Sequence, residues 1–248
     1  MLDYAMKSEP GDRPYNEDRI RMYDRGGEQL FALADGLGGM KKGAMASSLA
    51  IRSVIGRFCW DREPDFLSRA METAQNAVLY GQGKYPDAAA MSTTLALLQI
   101  RGSIAQWAHI GDSRIYMFRK KKLLFQTEDH SVPQMLVKQG DITVDQIRHH
   151  PDRNRLLRTL GQEWSGQGYS VSKPVRIIPG DAFLLCSDGF WEEITEQEMV
   201  WWFGKAKCAA QWLEQMKAIV EKNGKSVKMD NYSAICVRFP TEQSIRDM

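Results

Sequence analysis

Short apolar runs separated by polar turns recur along most of the chain. Six runs are rich in branched and aromatic residues, a composition that favours strands. They span residues 29–35, 93–100, 103–110, 114–118, 182–188 and 232–239. Only Arg101 and Gly102 separate the second run from the third, so we predict that these two strands form a hairpin.

Three longer segments follow a different period. Their apolar side chains recur every three or four positions, which predicts helices with one core-facing side. The segments are 43–58, 65–82 and 206–222. Because the strands come in consecutive runs and the helices partly in pairs, we predict α+β layers around an antiparallel sheet rather than alternating βαβ units. The polar region 130–170, with two weak helical patches, is predicted to be a flap appended to this core.

Composition narrows the class of protein. The chain has 248 residues, 43% of them hydrophobic, which suits a large core, and no linker marks a second domain, so we expect one domain over residues 1–248. With 33 basic and 31 acidic residues, the charge balance favours neither a nucleic-acid binder nor a membrane binder. The four cysteines form no CxxC pair and the first residues do not resemble a secretory leader, so we expect reduced thiols and a cytoplasmic protein.

Acidic residues stand at several strand ends. The acids of this set are Asp35, Asp112, Asp188 and Asp230, joined by Glu17 and Asp18 near the N-terminus. One such acid usually forms a turn, but four of them favour a shared site. Carboxylates that meet at one sheet edge repel each other unless cations neutralise them, and oxygen ligands suit Mg²⁺ or Mn²⁺. Histidines and cysteines are too few and too scattered for zinc, and no calcium-loop spacing is present.

The glycines after Asp35 fit the same interpretation. Gly36 would let a backbone carbonyl approach a metal, while Gly38 and Gly39 would keep side chains away. A nucleotide-binding glycine loop is the rival, but the Walker lysine and the full GxGxxG spacing are missing. A cysteine-phosphatase mechanism at Cys186 is disfavoured as well, because no CxxxxxR loop surrounds it.

Eight motifs, taken in order, resemble the metal-dependent serine/threonine protein phosphatases of type 2C, the PPM family, and its bacterial branch most closely. They are RPYNEDR (13–19), ADGLGG (34–39), STTL (92–95), GDSR (111–114), EDHS (128–131), RNRLLRTLG (153–161), LLCSDGFWE (184–192) and DNYSAI (230–235). The likeness spans about residues 8–239. It implies a four-layer α-β-β-α sandwich of two mostly antiparallel sheets flanked by helices, with the metal centre at one end and the flap of residues 130–170 beside it.

The resemblance also implies a role for each acid at a strand end. Asp35 matches the acid that bridges two metal ions, and Gly36 matches the residue whose carbonyl binds one of them. Asp188 and Asp230 match further ligands of the second ion. Asp112 matches a ligand of a third, weaker ion. The implied cofactor is therefore a pair of Mn²⁺ or Mg²⁺ ions, with a third one loosely held.

The resemblance places four further residues in or beside the site. Glu17 and Asp18 match acids that hold metal-bound waters, and Asp18 is counted among the metal-site residues. Arg13 matches an arginine that grips the substrate phosphate, so Arg13 joins Asp35 and Asp188 as a predicted catalytic residue. Asn231 is expected to orient the site from behind the metal ligands.

One position departs from the family pattern. Some members have a histidine where this chain has Leu37, and that histidine is proposed as the acid for the leaving alcohol. Leucine carries no proton to donate, so the acid is left open between a metal-bound water and His130. For His130, a structural role in packing the flap is the favoured interpretation.

The leading functional hypothesis is a protein serine/threonine phosphatase. It would hydrolyse phosphoserine and phosphothreonine by attack of a water bridging two Mn²⁺ or Mg²⁺ ions. Its expected partners are phosphorylated proteins, including a serine/threonine kinase that it opposes in bacterial signalling; the expected state is a monomer. A catalytically inactive pseudophosphatase that binds phosphoproteins is the alternative, against which the intact Asp18, Asp35, Asp188 and Asp230 argue. The sequence does not separate either from a phosphatase of small phosphoesters.

Overall fold

A computed structural model describes residues 2–39, 42–85, 87, 90–225 and 228–240. Its strands are β1 (Asp3–Glu9), β2 (Arg19–Asp24), β3 (Glu28–Ala34), β4 (Gly36–Leu37), β5 (Ser92–Thr93), β6 (Leu95–Arg101), β7 (Ile104–Ile110), β8 (Arg114–Arg119), β9 (Lys122–Gln126), β10 (Ser170–Val171), β11 (Val175–Arg176), β12 (Ala182–Cys186) and β13 (Tyr232–Arg238). Its helices are α1 (Lys42–Phe58), α2 (Phe66–Lys84), α3 (Val132–Gln139), α4 (Asp188–Trp191), α5 (Glu196–Lys205) and α6 (Ala209–Gly224), with a 3-10 helix at Val144–His149.

The strands form two larger antiparallel sheets. One has the order β1-β13-β12-β8-β9, and the other has the order β10-β7-β6-β3-β2, with β11 also paired to β7. The two-residue strands β4 and β5 pair separately. Strands β6 and β7 run antiparallel with Arg101 opposite Ile104, which confirms the predicted hairpin.

Alternation of side chains along the strands builds the layers. On β3, Leu30 and Ala32 pack against α1 and α2, whereas Phe31 and Leu33 point into the space between the two sheets. On β12, Phe183 points into that same space, while its neighbours face α5 and α6. Two sheets back to back, each covered by helices, give the four-layer α-β-β-α sandwich, so the predicted fold class is confirmed.

The three segments predicted to be helical form α1, α2 and α6, with ends that differ from the predicted ones by a few residues. Helix α6 begins at Ala209 rather than near 206 because Cys208 has extended backbone. The pattern missed α5, which begins with a capping box in which the side chains of Thr195 and Glu198 each bond the other's backbone. None of the helices that the structure describes is long and apolar enough to cross a membrane.

The flap region contains both predicted helical patches, α3 and the 3-10 helix. Helix α3 is bounded by Ser131, whose hydroxyl accepts from the Gln134 N–H, and by Gly140 in the left-handed conformation. The far end of the flap returns to the core, where Leu160 pairs with Thr93 through two backbone hydrogen bonds. The flap is therefore fixed beside the end of the sheets where the predicted acids lie.

Candidate active site

The five predicted aspartates lie at one common end of the two sheets. Asp35 follows β3, Asp188 follows β12, and Asp112 lies in the turn between β7 and β8, while Asp18 precedes β2 and Asp230 precedes β13. An open cavity of about 320 Å³ lies at this end. Its lining includes Arg13, Glu17, Asp35, Gly36, Leu37, Asp112, Asn154, Leu156, Asp188, Asp230 and Asn231. Asp18 does not line the cavity and is only 1% exposed.

Two threonines fix the main chain at Asp35. The Asp35 N–H donates to the hydroxyl of Thr94 (3.0 Å), and the Asp35 carbonyl accepts from the Thr93 hydroxyl (2.7 Å) and the Thr94 N–H (2.9 Å). The Thr94 hydroxyl also lies 2.7 Å from the hydroxyl of Ser113, next to Asp112. The acid at the end of β3 is therefore held in place by its backbone, which leaves its carboxyl group for other partners.

The glycine after Asp35 makes a close backbone crossing possible. A Cβ on Gly36 would lie 2.2 Å from the carbonyl oxygen of Gly43 and 2.8 Å from that of Glu17. A Cβ on Gly43 would lie 2.4 Å from the carbonyl carbon of Gly36. Since only glycine fits on either side, α1 crosses directly over the end of β3. This contact is what brings the start of α1 against the Asp35 segment.

The N-terminal acids are held by residues far away in sequence. Oδ2 of Asp18 accepts from the hydroxyl of Ser187 (2.8 Å), and that hydroxyl accepts from the Ser233 N–H (2.9 Å). The amide of Asn231 accepts from the Glu17 N–H (2.8 Å) through its oxygen. Its nitrogen donates to the carbonyls of Pro10 and Tyr15 (2.9 and 3.0 Å). Asn231 thus positions the loop that carries Glu17.

Arg13 enters the cavity paired with an acid. Its Nη2 lies 2.6 Å from Oδ2 of Asp230, and both side chains are close to half exposed. This hydrogen bond is the main reason that the pKa of Arg13 is raised above its usual value. The guanidinium group therefore stays charged and lies within the acid cluster, at the open side of the cavity.

The turn at Asp112 rests on a buried cationic group. Trp191 Nε1 donates to the Asp112 carbonyl (3.0 Å), and the guanidinium group of Arg114 lies 3.5 Å from the centre of the Trp191 ring. Arg114 in turn makes two hydrogen bonds to the carboxylate of Asp129 (2.9 and 2.8 Å), with both side chains buried. Trp191, packed against Arg114, therefore holds the main chain of Asp112 in place.

Burial and mutual repulsion raise the pKa of the clustered acids. Desolvation is the main cause in each case, followed for Asp35, Asp112 and Asp188 by the charges of neighbouring aspartates. The pKa of Asp18 rises to about 7, mainly through burial. The charge of Asp188 is one of those that raise the pKa of Asp35. The repulsion between these carboxylates therefore remains in the folded chain, and a cation bound among them would relieve it.

The donor set fits hard divalent cations. Glu17 Oε1 and Asp18 Oδ1 are buried and have no hydrogen-bond partner, and a cation or the water around it would satisfy such oxygens. Within the part of the chain that the structure describes, no three histidine, cysteine or acidic side chains already have metal-binding geometry. The chemistry of the cluster nevertheless fits a cation, because a cation bound there would relieve the repulsion that raises the pKa of Asp35 and Asp188. Arg13 already pairs with Asp230.

A family model described as protein phosphatase 2C matches residues 11–231. The chain belongs to the protein phosphatase 2C family. Its relatives include the serine/threonine protein phosphatase PstP of Mycobacterium tuberculosis, 33% identical over 209 residues, which are 81% of this chain and 38% of PstP. A putative protein phosphatase 2C-type of Streptococcus pyogenes is 34% identical over 208 residues, 80% of this chain and 83% of that protein.

The solved structures agree with this family. The catalytic domain of PstP in complex with two manganese ions superposes with a TM-score of 0.82 and 28% identity, over 97% of this chain and 99% of that one. The present 2C-family chain spans less than half the length of the mycobacterial relative but most of the streptococcal one. The prediction of a bacterial-type 2C phosphatase family made from the eight motifs is therefore confirmed.

The structure of this 2C-family chain also separates the candidates for the leaving-group acid. Leu37 lines the cavity, as the resemblance implied. His130 does not line the cavity: its Nδ1 accepts from the Gly111 N–H (3.2 Å), and its Nε2 lies 3.1 Å from the Ser170 hydroxyl. Both ring nitrogens of His130 therefore have hydrogen-bond partners outside the cavity, which is consistent with the packing role favoured for this histidine.

Several residues of the site escaped the sequence analysis as individuals. Thr94, Ser187 and Ser233 hold the acids, and Asn154 and Leu156 bring the flap into the cavity wall. Each of the five lies inside a motif that resembled the family, so the signal was present. A hydroxyl beside a conspicuous aspartate has many possible partners, and only the fold selects one.

Proposed function

We propose that this chain is a metal-dependent protein serine/threonine phosphatase, formed by residues 1–248 as one catalytic unit. The observation that carries the proposal is the group of buried acids at one end of the sheets, whose pKa values burial and mutual repulsion raise. Acids arranged in this way are costly to the fold, which is typical of functional sites. The names of the relatives and the two manganese ions of the PstP structure support this choice.

The cluster divides into residues with separate tasks. Asp35, the carbonyl of Gly36, Asp188 and Asp230 would hold two Mn²⁺ or Mg²⁺ ions. When bound, these ions neutralise the acids and lower the pKa of water in the site, which supplies the nucleophile for attack on phosphorus. Glu17 would orient water from the rim.

Asp18 would act from below the cavity. Its free Oδ1 is buried, so a hydrogen bond from an ordered water would satisfy it without exposing the Ser187 contact. Asp112 would hold the third, weaker ion from the turn between β7 and β8. Asn231 takes no part in the chemistry and holds the loop that carries Glu17.

Arg13 would bind the phosphate of the substrate. Its fork of N–H groups matches two phosphate oxygens, and its partner Asp230 is one of the acids that a cation would engage. A cation on Asp230 would weaken the ion pair and release the guanidinium group toward the substrate. Binding of the ions and of the phosphate would therefore favour each other.

Proton delivery to the leaving alcohol falls to water in this proposal. Leu37 has no proton to give, and His130 is turned away from the cavity and bonded to Gly111 and Ser170. Asp18, whose pKa burial raises to about 7, can hold a proton near neutral pH and pass it to such a water.

The partners follow from the reaction. We propose phosphorylated proteins as substrates, among them a serine/threonine kinase that this phosphatase opposes, and we propose a cytoplasmic monomer. All four cysteines, Cys59, Cys186, Cys208 and Cys236, are free thiols, which supports a reducing compartment. Neither a nucleic acid nor a membrane is required.

The test is hydrolysis of nitrophenyl phosphate and of phosphothreonine and phosphotyrosine peptides with and without chelator. We expect no turnover in chelator, recovery with Mn²⁺, and a preference for phosphothreonine. Asp35→Asn and Asp188→Asn should each abolish nearly all turnover with the fold intact by circular dichroism, whereas Asp145→Asn, an exposed acid on the 3-10 helix, should not change it.

Each other outcome selects another function. Full activity in chelator would refute the metal-dependent mechanism. Binding of a phosphothreonine peptide without hydrolysis in any divalent metal would show the pseudophosphatase. Hydrolysis of nitrophenyl phosphate with no turnover of any phosphopeptide would show a phosphatase of small phosphoesters.

A further inference from the structure

A second cleft, larger than the acid-lined cavity, lies elsewhere on the molecule. Its volume is about 810 Å³, against about 320 Å³ for the acid-lined cavity. It opens where the edge of one sheet, β9, faces β10 and β11 at the edge of the other, and α3 and residues 157–158 close its remaining side. A volume of this size falls within the range of sites for small organic ligands.

Flat rings form the walls of this cleft. Trp107 and Phe125 lie with their ring centres 4.9 Å apart, and the rings of His109 and His130 are stacked 4.7 Å apart and almost parallel, at 5°. Burial is the main cause that lowers the pKa of both histidines, that of His130 to about 3, so both rings are neutral near pH 7. The exposed side chain of Met135 adds a flexible apolar surface.

The charges of the cleft are unequal. Its two acids are already occupied, because Asp129 pairs with the buried Arg114 and Glu128 pairs with Lys138. Arg158 and Lys173 also line the cleft, are exposed, and form no ion pair with any residue that the structure describes. Two cations beside neutral aromatic walls complement a ligand that is flat, apolar and anionic.

We propose that this cleft binds a small planar aromatic molecule that carries one anionic group, at a site separate from the acid-lined cavity. The rings take the apolar body of the ligand, and Arg158 and Lys173 take its charge.

The wall of the cleft is bonded to the turn that carries Asp112. The His130 N–H donates to the Gly111 carbonyl (2.9 Å), and the Gly111 N–H donates back to Nδ1 of the same histidine (3.2 Å). The His130 carbonyl accepts from the N–H of Leu157 (2.8 Å), a residue of the cleft whose neighbour Leu156 lines the acid-lined cavity. A ligand that contacts the His130 ring therefore acts on the Asp112 turn and on the flap together.

Anilinonaphthalene sulfonate is the probe that tests binding, because it is flat and anionic and becomes fluorescent in apolar surroundings. We expect saturable binding of one molecule per folded chain at low salt. Met135→Glu, which puts a negative charge on the cleft, should weaken it at least tenfold. Gln139→Glu adds the same charge to an exposed position of α3 that does not line the cleft, and should leave the affinity within twofold.

The anionic part of the proposal has its own control. Lys173→Gln should weaken binding about threefold to tenfold and reduce its dependence on salt, whereas Arg176→Gln, an exposed cation outside the cleft, should not. Phenylnaphthylamine, the neutral counterpart of the probe, should bind the wild type more weakly than the sulfonate does. Because it carries no charge, it should bind Lys173→Gln as tightly as it binds the wild type.

Transmission to the turn can be read without any assay of catalysis. Titration with the probe should shift the amide NMR signals of Gly111 and Asp112, and at the same probe concentration those shifts should be much smaller in Met135→Glu. The proposal is overturned if the probe does not saturate, if Met135→Glu binds as well as Gln139→Glu, or if the neutral probe binds as tightly as the sulfonate. Because binding is measured without turnover, this result is independent of the proposed phosphatase activity.

Discussion

Replacing Asp61 with asparagine should cost stability in a way that depends on pH. The side chain of Asp61 is only 2% exposed and lies between α1 and α2, where it pairs with Arg57 (2.9 Å) and with Arg69 (2.6 Å). These partners, the hydrogen bonds to Arg69 first among them, lower the pKa of Asp61 from 3.8 to about 2. Asparagine keeps the size of the side chain and loses the charge.

The lowered pKa sets the magnitude. A difference of 3.8 against about 2 corresponds to about 2.4 kcal/mol of stabilisation near neutral pH, at about 1.36 kcal/mol per pKa unit. Solvent reaches both arginines, which are 21% and 25% exposed, and so weakens the pairs. We therefore expect Asp61→Asn to reduce the free energy of unfolding by about 1–2 kcal/mol near pH 7.

The sign of the pH dependence follows from the direction of the shift. A folded-state pKa below the unfolded value gives stabilisation that is fully present above the unfolded pKa of about 3.8 and is lost as the pH falls through about 2. Asparagine does not titrate, so the difference between wild type and Asp61→Asn should shrink to about half between about pH 7 and about pH 3.

Urea unfolding followed by tryptophan fluorescence at both pH values measures this difference. Asp65→Asn is the matched control, since Asp65 also pairs with Arg69 but is 61% exposed, and it should cost at most about 0.5 kcal/mol. An Asp61→Asn cost that is the same at both pH values, or an equal cost for Asp65→Asn, would refute the reasoning.

Three further changes test the site. Gly43→Ala should cost more than about 2 kcal/mol in urea unfolding, because its Cβ would lie 2.4 Å from the backbone of Gly36, whereas Gly56→Ala in the same helix has open space and should gain up to about 1 kcal/mol; equal effects would contradict the crossing. Arg13→Ala should raise KM for nitrophenyl phosphate about tenfold and lower kcat in steady-state kinetics, and unchanged kinetics would remove it from the site. Asp112→Ala should reduce phosphothreonine-peptide hydrolysis at least about tenfold more than nitrophenyl phosphate hydrolysis, since an alkoxide needs a proton more than nitrophenolate does; equal losses would contradict the third-ion role.

The sequence by itself determined the interior of the fold. Strands such as β3, β6 and β12 are buried along nearly their whole length, so their apolar runs could be recognised without the structure. Strands β1, β2 and β9 were missed, and each of them is an edge strand without a fully buried residue. An edge strand is covered only in part and exposes one row of hydrogen-bonding groups, so its sequence carries a weaker apolar pattern.

The sequence also placed the acids at strand ends, because an apolar run that stops at an aspartate is a local feature. Which groups meet there was decided only by the tertiary structure. Asn231 bonds Glu17 across 214 positions, and Ser187 bonds Asp18 across 169. Neither pair can be recognised in the local sequence. The two residues of each pair approach each other because β12 pairs with β13 and the two sheets pack against each other. Which segments are buried can thus be predicted from the local sequence, whereas the partners of a buried polar atom depend on the tertiary structure.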